Sequence, residues 1–178
     1  LASKLEYNMQ PIDPKPVNLV AIARQSVVDF INLGMGGKYP IEWNTEEALT
    51  ACVINGDKEL LRRAIGNLIT NCQTHNPDGC TISVCARKSD TEYKIIVEDN
   101  GIGVTDETLE KLRTTPHYMM SDSGTSEPRH GLGLLIVGQI VSAHKGTVSF
   151  DHGKQGGFAV AVAFPIHSNE ADELMRQK

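Results

Sequence analysis

No apolar stretch in this 178-residue chain approaches the roughly 20 residues needed to cross a bilayer, and the opening LASKLEYN is no signal peptide. The segment is therefore expected to be soluble. Basic charge is not in excess: 17 Lys and Arg stand against 22 Asp and Glu, a formal net charge of −5. That balance argues against a binder of phosphate backbones, and so against nucleic acid as a partner. Cysteine is scarce, and Cys52, Cys72, Cys80 and Cys85 show no disulfide framework, which suits a reducing cytosol. Cys72-x-x-His75 followed by Cys80 and Cys85 has a superficial look of zinc spacing. It is not a finger or ribbon pattern, and three of the four thiols fall in helix or strand interiors, where cysteine behaves as a small hydrophobe. Internal repeats and low-complexity tracts are also absent. What is present is ordinary: 40% hydrophobic and 22% charged residues, enough for one domain with a sizeable core and no sign of disorder.

The chain is organised around one predicted helix, residues 57–75, reading DKELLRRAIGNLITNCQTH. Leu61, Ala64, Ile65, Leu68, Ile69 and Cys72 recur at three- and four-residue steps and form a core-facing stripe. Asn67 and Asn71 lie four apart on another face, and Arg63 and His75 extend that row by one turn each way. A solvated polar face would account for such a row. Yet Asn competes with the backbone for hydrogen bonds and is a poor mid-helix residue, so two aligned carboxamides invite a second explanation.

Before that helix, residues 1–8 read as the tail of a helix, with Leu1, Leu5 and Asn8 on one face. Pro11, Pro14 and Pro16 then enforce an extended linker. Asn18 caps a helix running to about Leu33, with Val20, Ala23, Val27, Phe30 and Ile31 inward and Gly34, Gly36 and Gly37 as its stop. Residues 39–44 and 49–54 read as strands, and Asn55-Gly56 as a turn into Asp57, the next N-cap. After the organising helix, Asn76-Pro77-Asp78-Gly79 is a turn, and 81–87 and 93–98 read as antiparallel strands. A short helix is expected over 105–112. Residues 113–130 carry three Ser, three Thr and two Pro with no apolar period, a loop of the length that usually has a function. A helix over 134–144, opened by Gly131-Leu132-Gly133, and strands near 147–151 and 158–164 follow; the charged tail, 167–178, reads as a loose helix. Without regular βαβ alternation, the expected fold is α+β: a two-layer sandwich of a mixed sheet with helices on one face.

Three elements could converge on one ligand. The amide oxygens of Asn67 and Asn71 are hard ligands of the kind Mg²⁺ accepts beside waters and phosphates. In Asp99-Asn100-Gly101-Ile102-Gly103, glycines allow the backbone to approach a flat ring, and Asp99 offers an acceptor for an exocyclic amine; an ordinary Asp-Asn-Gly turn reads the same way. Gly131-Leu132-Gly133-Leu134 leaves free N–H groups at a positive helix end, a seat for phosphate, or else allows close packing.

In this order, with a long loop between the second and third, these motifs resemble the ATP-binding catalytic domain of sensor histidine kinases. That family lies in the superfamily that includes DNA gyrase, the ninety-kilodalton heat-shock chaperone and the mismatch-repair ATPases. Asn67-Leu-Ile-Thr-Asn71 resembles the N box, Asp99-x-Gly101-x-Gly103 and Gly131-Leu-Gly133-Leu134 the two glycine boxes, and the loop between them the ATP lid. KLEYNMQPIDPKPVNLVAIA is similar to the end of the family's dimerisation helix, its linker and its first catalytic-domain helix. The resemblance implies a Bergerat fold, mostly antiparallel, with residues 1–16 as helix end and linker, 17–166 as the ATP-binding domain and 167–178 as a tail. It implies ATP and Mg²⁺ as cofactors, with Asn71 holding the metal and phosphates and Asn67 assisting. Asp99 would accept from the adenine amine, Ile102 and Gly103 would pack on the ring, and Leu112 would line its edge. Leu132, Gly133 and Leu134 would present N–H groups to the phosphates, and His75 would stand beside the nucleotide or simply complement its helix dipole. The ATP-hydrolysing relatives carry Glu where this chain has Asn67, and a carboxamide cannot act as a general base. The γ-phosphoryl would then go to a histidine on the chain's own dimerisation domain and from there to a response regulator's Asp. The segment itself would be a monomeric, cytoplasmic domain; parents of this kind include plasma-membrane sensors.

The sequence departs from the family pattern in four places. Thr74 stands where the family usually has Lys, with Arg129 or Lys111 able to substitute at the phosphates. The lid's phenylalanine motif is not recognisable, and GGFAVAVAF lacks the last-strand Thr of a water-mediated adenine contact. None of the six histidines has a phosphoacceptor setting, so the acceptor is expected before Leu1. Two further readings share the fold: a nucleotide-sensing module that has lost transfer, and a serine kinase of the anti-sigma-factor type, whose members generally keep Glu at the Asn67 position.

Overall fold

Asn18 and Asp57 each end an extended segment by turning a side-chain oxygen onto the next helix. The computed structural model describes residues 11–114 and 131–166. Within it β1 (Lys15–Asn18) runs into α1 (Leu19–Asn32), where Asn18 Oδ1 accepts from Val20 N at 3.0 Å and from Cys52 N at 3.0 Å. One side chain thereby caps a helix and ties a distant loop to it. Strands β2 (Ile41–Trp43) and β3 (Val53–Gly56) follow, then α2 (Lys58–His75), whose N-cap Asp57 accepts from Glu59 N and Leu60 N. The remaining elements are β4 (Ile82–Lys88), β5 (Glu92–Asp99), α3 (Asp106–Thr114), α4 (Gly131–Ala143), β6 (Thr147–His152) and β7 (Phe158–Pro165).

Five strands form one sheet in the order β2-β4-β5-β7-β6, with β2 parallel to β4 and every other pair antiparallel. Parity decides what the sheet buries. Tyr93, Ile95, Val97 and Asp99 of β5 are buried while their neighbours are only half-covered, and the register aligns the first three with Phe164, Val162 and Val160 of β7. This row meets the helix layer, where the expected α2 stripe of Leu61, Ala64, Ile65, Leu68, Ile69 and Cys72 is buried throughout. Asp99 is the last member of an otherwise apolar row.

Several expectations need correction. Ile31 is 53% exposed rather than inward; Leu19, Ile22 and Ser26 take the core positions of α1 beside Val20, Ala23, Val27 and Phe30. Asn55 and Gly56 form no turn. They are the end of β3 and pair with Pro16 and Lys15, so the proline-rich stretch supplies an edge strand, a setting in which a missing N–H is tolerated. Helix α4 begins at Gly131 rather than Leu134, so both glycines lie in its first turn. Residues 1–8, Arg129, most of the 113–130 loop and the 167–178 tail lie outside the described residues. Among the described residues no helix is long and apolar enough to cross a membrane.

The helix pair is locked by His144, 5% exposed just past the end of α4. Its Nε2 accepts from Asp57 N at 2.9 Å, so Nδ1 carries the proton and donates to Ile140 O at 2.8 Å, and the ring meets Phe164 edge-on at 6.2 Å. Since α4 packs along α2 and its C-terminal end sits at the start of α2, the two helices run antiparallel. His144→Ala leaves the part-buried Asp57 N–H without its His144 partner and opens a hole beside Phe164. The expected loss is about 2–4 kcal/mol in urea unfolding; a loss within experimental error of zero contradicts the lock.

Candidate functional site

The antiparallel pair fixes where the glycine-led end of α4 lies. Thirteen residues of helix advance about 20 Å, so Gly131 to Leu134 come level with about the fourteenth residue after Asp57, near Asn71. The first four N–H groups of any helix have no partner within it, and here they belong to Gly131, Leu132, Gly133 and Leu134. Asn71 is 7% exposed, yet its carboxamide has no hydrogen-bond partner among the described residues. Asn67 is half-buried and Arg63 exposed, so the polar row on α2 is solvated at its start and buried at its end. Thr74 donates to Thr70 O at 3.0 Å and spends its hydroxyl on its own helix. Lys111 is ion-paired with Glu107 at 3.4 Å.

Asp99, 4% exposed, closes the other end of the site. Its Oδ1 accepts from Gly101 N at 2.9 Å and Phe158 N at 3.4 Å. Burial pushes its carboxyl above the usual carboxylate range, against the pull of those two N–H groups, the Cys72 thiol and the Asn76 amide. The same proximity acts on the thiols. Burial first and the Asp99 charge second hold Cys72 well above an ordinary thiol and push Cys80 up to about 11. All four cysteines are free, and among the described residues no three His, Cys, Asp or Glu side chains cluster as a metal site. His75, 9% exposed, has its ring 6.1 Å from that of Phe158, which stacks on Phe150 at 6.1 Å and 7°. Ile102 is 79% exposed at the surface of the glycine loop, and Leu112 packs against the core from α3. That helix is tied to β6 by Arg113, which donates to Phe150 O at 3.0 Å, and by Asp106 against His152 at 2.6 Å.

Residues 56–168 match the family described as histidine kinase-, DNA gyrase B- and HSP90-like ATPases. The chain belongs to that family. Among its relatives, sporulation kinase B of Bacillus subtilis is 34% identical over 93% of this chain and 37% of its own length. The sensor histidine kinase CusS of Escherichia coli is 36% identical over 59% of the chain and 22% of its own length. The chain thus spans well under half of the curated relatives it matches. Solved structures share the fold: the mycobacterial sensor histidine kinase MprB at 23% identity and a TM-score of 0.66, covering 85% of this chain and 97% of that one. Full-length ShkA in complex with AMPPNP matches at 21% identity and a TM-score of 0.70, covering 92% of this chain and 33% of that one.

In this ATPase-family domain the sequence reading missed two residues that shape the Asp99 end. Asn76, read only as part of a turn, is 2% exposed and bonds to the glycine loop. Gly157 lets the chain pass Asp99, since a Cβ there would lie 2.0 Å from Asp99 O. A glycine pair directly before a strand was the available signal for the second; for the first it was a carboxamide at a helix C-cap followed by Pro.

Because the folded Asp99 carboxyl binds its proton more readily than an unfolded one, its contribution to stability is full below the unfolded pKa of about 4 and is lost as pH rises through the folded value. Asp99→Asn removes the buried charge. The variant is therefore expected to gain on wild type in urea-unfolding stability as pH rises from about 4 to 7; wild type gaining on the variant over that range contradicts the assignment of burial as the dominant cause.

Proposed function

We propose that residues 17–166 form the ATP-binding catalytic domain of a sensor histidine kinase, which binds Mg-ATP and donates the γ-phosphoryl to a histidine outside this segment. The observation that carries the reading is the joint presence of an acceptor for an amine at Asp99, a carboxamide at Asn71 with no partner among the described residues, and the glycine-led first turn of α4 along one helix, α2. Family membership supports the nucleotide. The kinase relatives support the reaction class.

In this reading Asp99 accepts from the adenine amine and the Gly101–Gly103 backbone lies against the ring, with Leu112 at its edge and His75 beside it. The N–H groups of Leu132, Gly133 and Leu134 hold the phosphates. Mg²⁺ fits the donor set, because Asn71 offers a hard oxygen that no group among the described residues occupies, with Asn67 one turn away. When bound, the metal would supply charge neutralisation at the phosphates. Asn67 has no basicity with which to activate water, so hydrolysis is disfavoured. The imidazole nitrogen of the acceptor attacks the γ-phosphorus, an N–P bond forms as the bridging O–P bond breaks, and ADP leaves. The acceptor histidine would sit on a dimerisation domain of the same protein, and a response regulator's Asp would take the phosphoryl from it.

Calorimetry tests the reading. The 178-residue chain is expected to bind ATP and ADP with Mg²⁺, to prefer adenine over guanine, and to hydrolyse ATP without appreciable multiple turnover. Asn71→Ala is expected to weaken Mg-nucleotide binding about tenfold or more, the scale of one lost contact to a charged group. Supplied with a histidine-bearing dimerisation segment and labelled ATP, the chain should place label on that histidine. Binding without label would favour a sensing module that has lost transfer. Fast turnover by the isolated chain would overturn the role given to Asn67.

A further inference from the structure

The C-terminal end of α2 holds a buried side chain that the nucleotide reading leaves without a task. Asn76 caps the helix with φ −126° and ψ 72° and is 2% exposed. Its carboxamide uses both ends. Nδ2 donates to Cys72 O at 2.8 Å, one turn back, and Oδ1 accepts from Ile102 N at 2.9 Å, in the middle of the glycine loop. The main chain beneath it is fixed as well, since the Tyr39 hydroxyl donates to Asn76 O at 2.7 Å. Only a carboxamide serves here: Asp lacks the donor, a hydroxyl is too short to span both partners, and Gln would push the loop outward.

The contact also explains a glycine. A Cβ on Gly101 would fall 1.8 Å from Asn76 Oδ1, so the loop can come this close only because residue 101 has no side chain. Gly101 N in turn donates to Asp99 Oδ1. Helix α2, the loop and the buried carboxylate are therefore joined through two adjacent backbone amides, 101 and 102.

We propose that Asn76 is the positioning residue of the adenine half of the site: it sets the height of the Gly101–Gly103 backbone over the helix and so where that backbone lies against a purine whose amine is held at Asp99. The proposal rests on the nucleotide reading above and deepens it. Asn76 touches no phosphate-holding group, so its removal acts on recognition of the base and not on recognition of the triphosphate.

The test uses the 178-residue chain and three probes with Mg²⁺: ATP, GTP and inorganic tripolyphosphate. Asn76→Ala is expected to weaken ATP about tenfold or more and narrow the preference for ATP over GTP, while tripolyphosphate binding changes less than about twofold. Gly101→Ala should weaken ATP as well, because its methyl group meets Asn76 Oδ1. In the double variant Gly101→Ala/Asn76→Ala that clash is gone, so the two losses should add to less than their sum. Retained ATP affinity in Asn76→Ala overturns the proposal, as does equal weakening of ATP and tripolyphosphate, the mark of general loosening. Amide hydrogen exchange gives a readout without nucleotide: Ile102 N–H should exchange faster in Asn76→Ala while the β5 amides stay protected, and unchanged Ile102 exchange overturns the pin. Should Asn76→Ala fail to fold, Asn76→Thr, which shortens the link, is read in the same assays against the same outcomes. A wild-type chain that binds no adenine nucleotide refutes the kinase reading instead, and the exchange experiment still decides whether Asn76 holds the loop.

Discussion

A carboxylate sits where strand parity demands a hydrophobe, and much of the site follows from that placement. Asp99 continues the inward row of Tyr93, Ile95 and Val97, and its register with Ile82 on β4 leaves it no way to face solvent without turning the whole strand over. Buried charge is costly unless donors surround it. The donors are the N–H groups of Gly101 and Phe158, and each requires the chain to come unusually close to Asp99. The glycines at 101 and 157 answer to that requirement, as their would-be Cβ contacts with Asn76 Oδ1 and Asp99 O make plain. Burial still prevails in the balance and keeps the carboxyl above its ordinary range. A residue retained at such a cost is more easily understood as a ligand contact than as a structural one.

The other end of the site depends on a different device, the antiparallel pair of α2 and α4. His144 sets the register of the pair at one end by accepting from Asp57 N. The length of α4 then carries its glycine-led first turn back along α2 toward Asn71. In the proposed reading no side chain would have to be specified at the phosphate end, and glycine and leucine would suffice there. The two ends of the proposed ligand would thus be read by different physics: a fixed carboxylate for the base and a helix terminus for the phosphates.

These two devices were not equally legible in the sequence. The stripe on α2 and the caps at Asn18 and Asp57 each rest on local spacing, and all were readable. Ordered together, the three motifs identified the family, although each alone had a plain structural reading. Long-range pairing was not readable. That Lys15 and Pro16 join β3 depends on a partner some forty residues away, and proline in isolation argues for linker. Asn76 was hidden for the same reason. Next to Pro77 it looks like turn chemistry, and only the approach of Ile102 from the far side of β4 and β5 reveals what its carboxamide holds. Ile31 was misplaced because a stripe one residue too wide on α1 still fits the helical period.

The departures from the family pattern sort along the same division. At the proposed phosphate end, Thr74 stands where the resemblance leads one to expect lysine and its hydroxyl is already committed to Thr70 O, while Lys111 is engaged by Glu107. In the proposed reading, the described groups left for a triphosphate are a neutral carboxamide and backbone amides. Neutral donors orient an anion well but do not cancel its charge, so the metal would carry a larger share of the neutralisation here than in a relative with the lysine. At the base end the loss of the last-strand Thr is met differently: Phe158 stacks on Phe150 beside His75 and offers Asp99 its backbone N–H. With apolar rings in place of a hydroxyl, discrimination between purines falls more heavily on the single carboxylate and on the backbone held opposite it. Selectivity in this chain would then depend on how firmly that loop is held in place, and Asn76, buried at the end of α2, bonds directly to it.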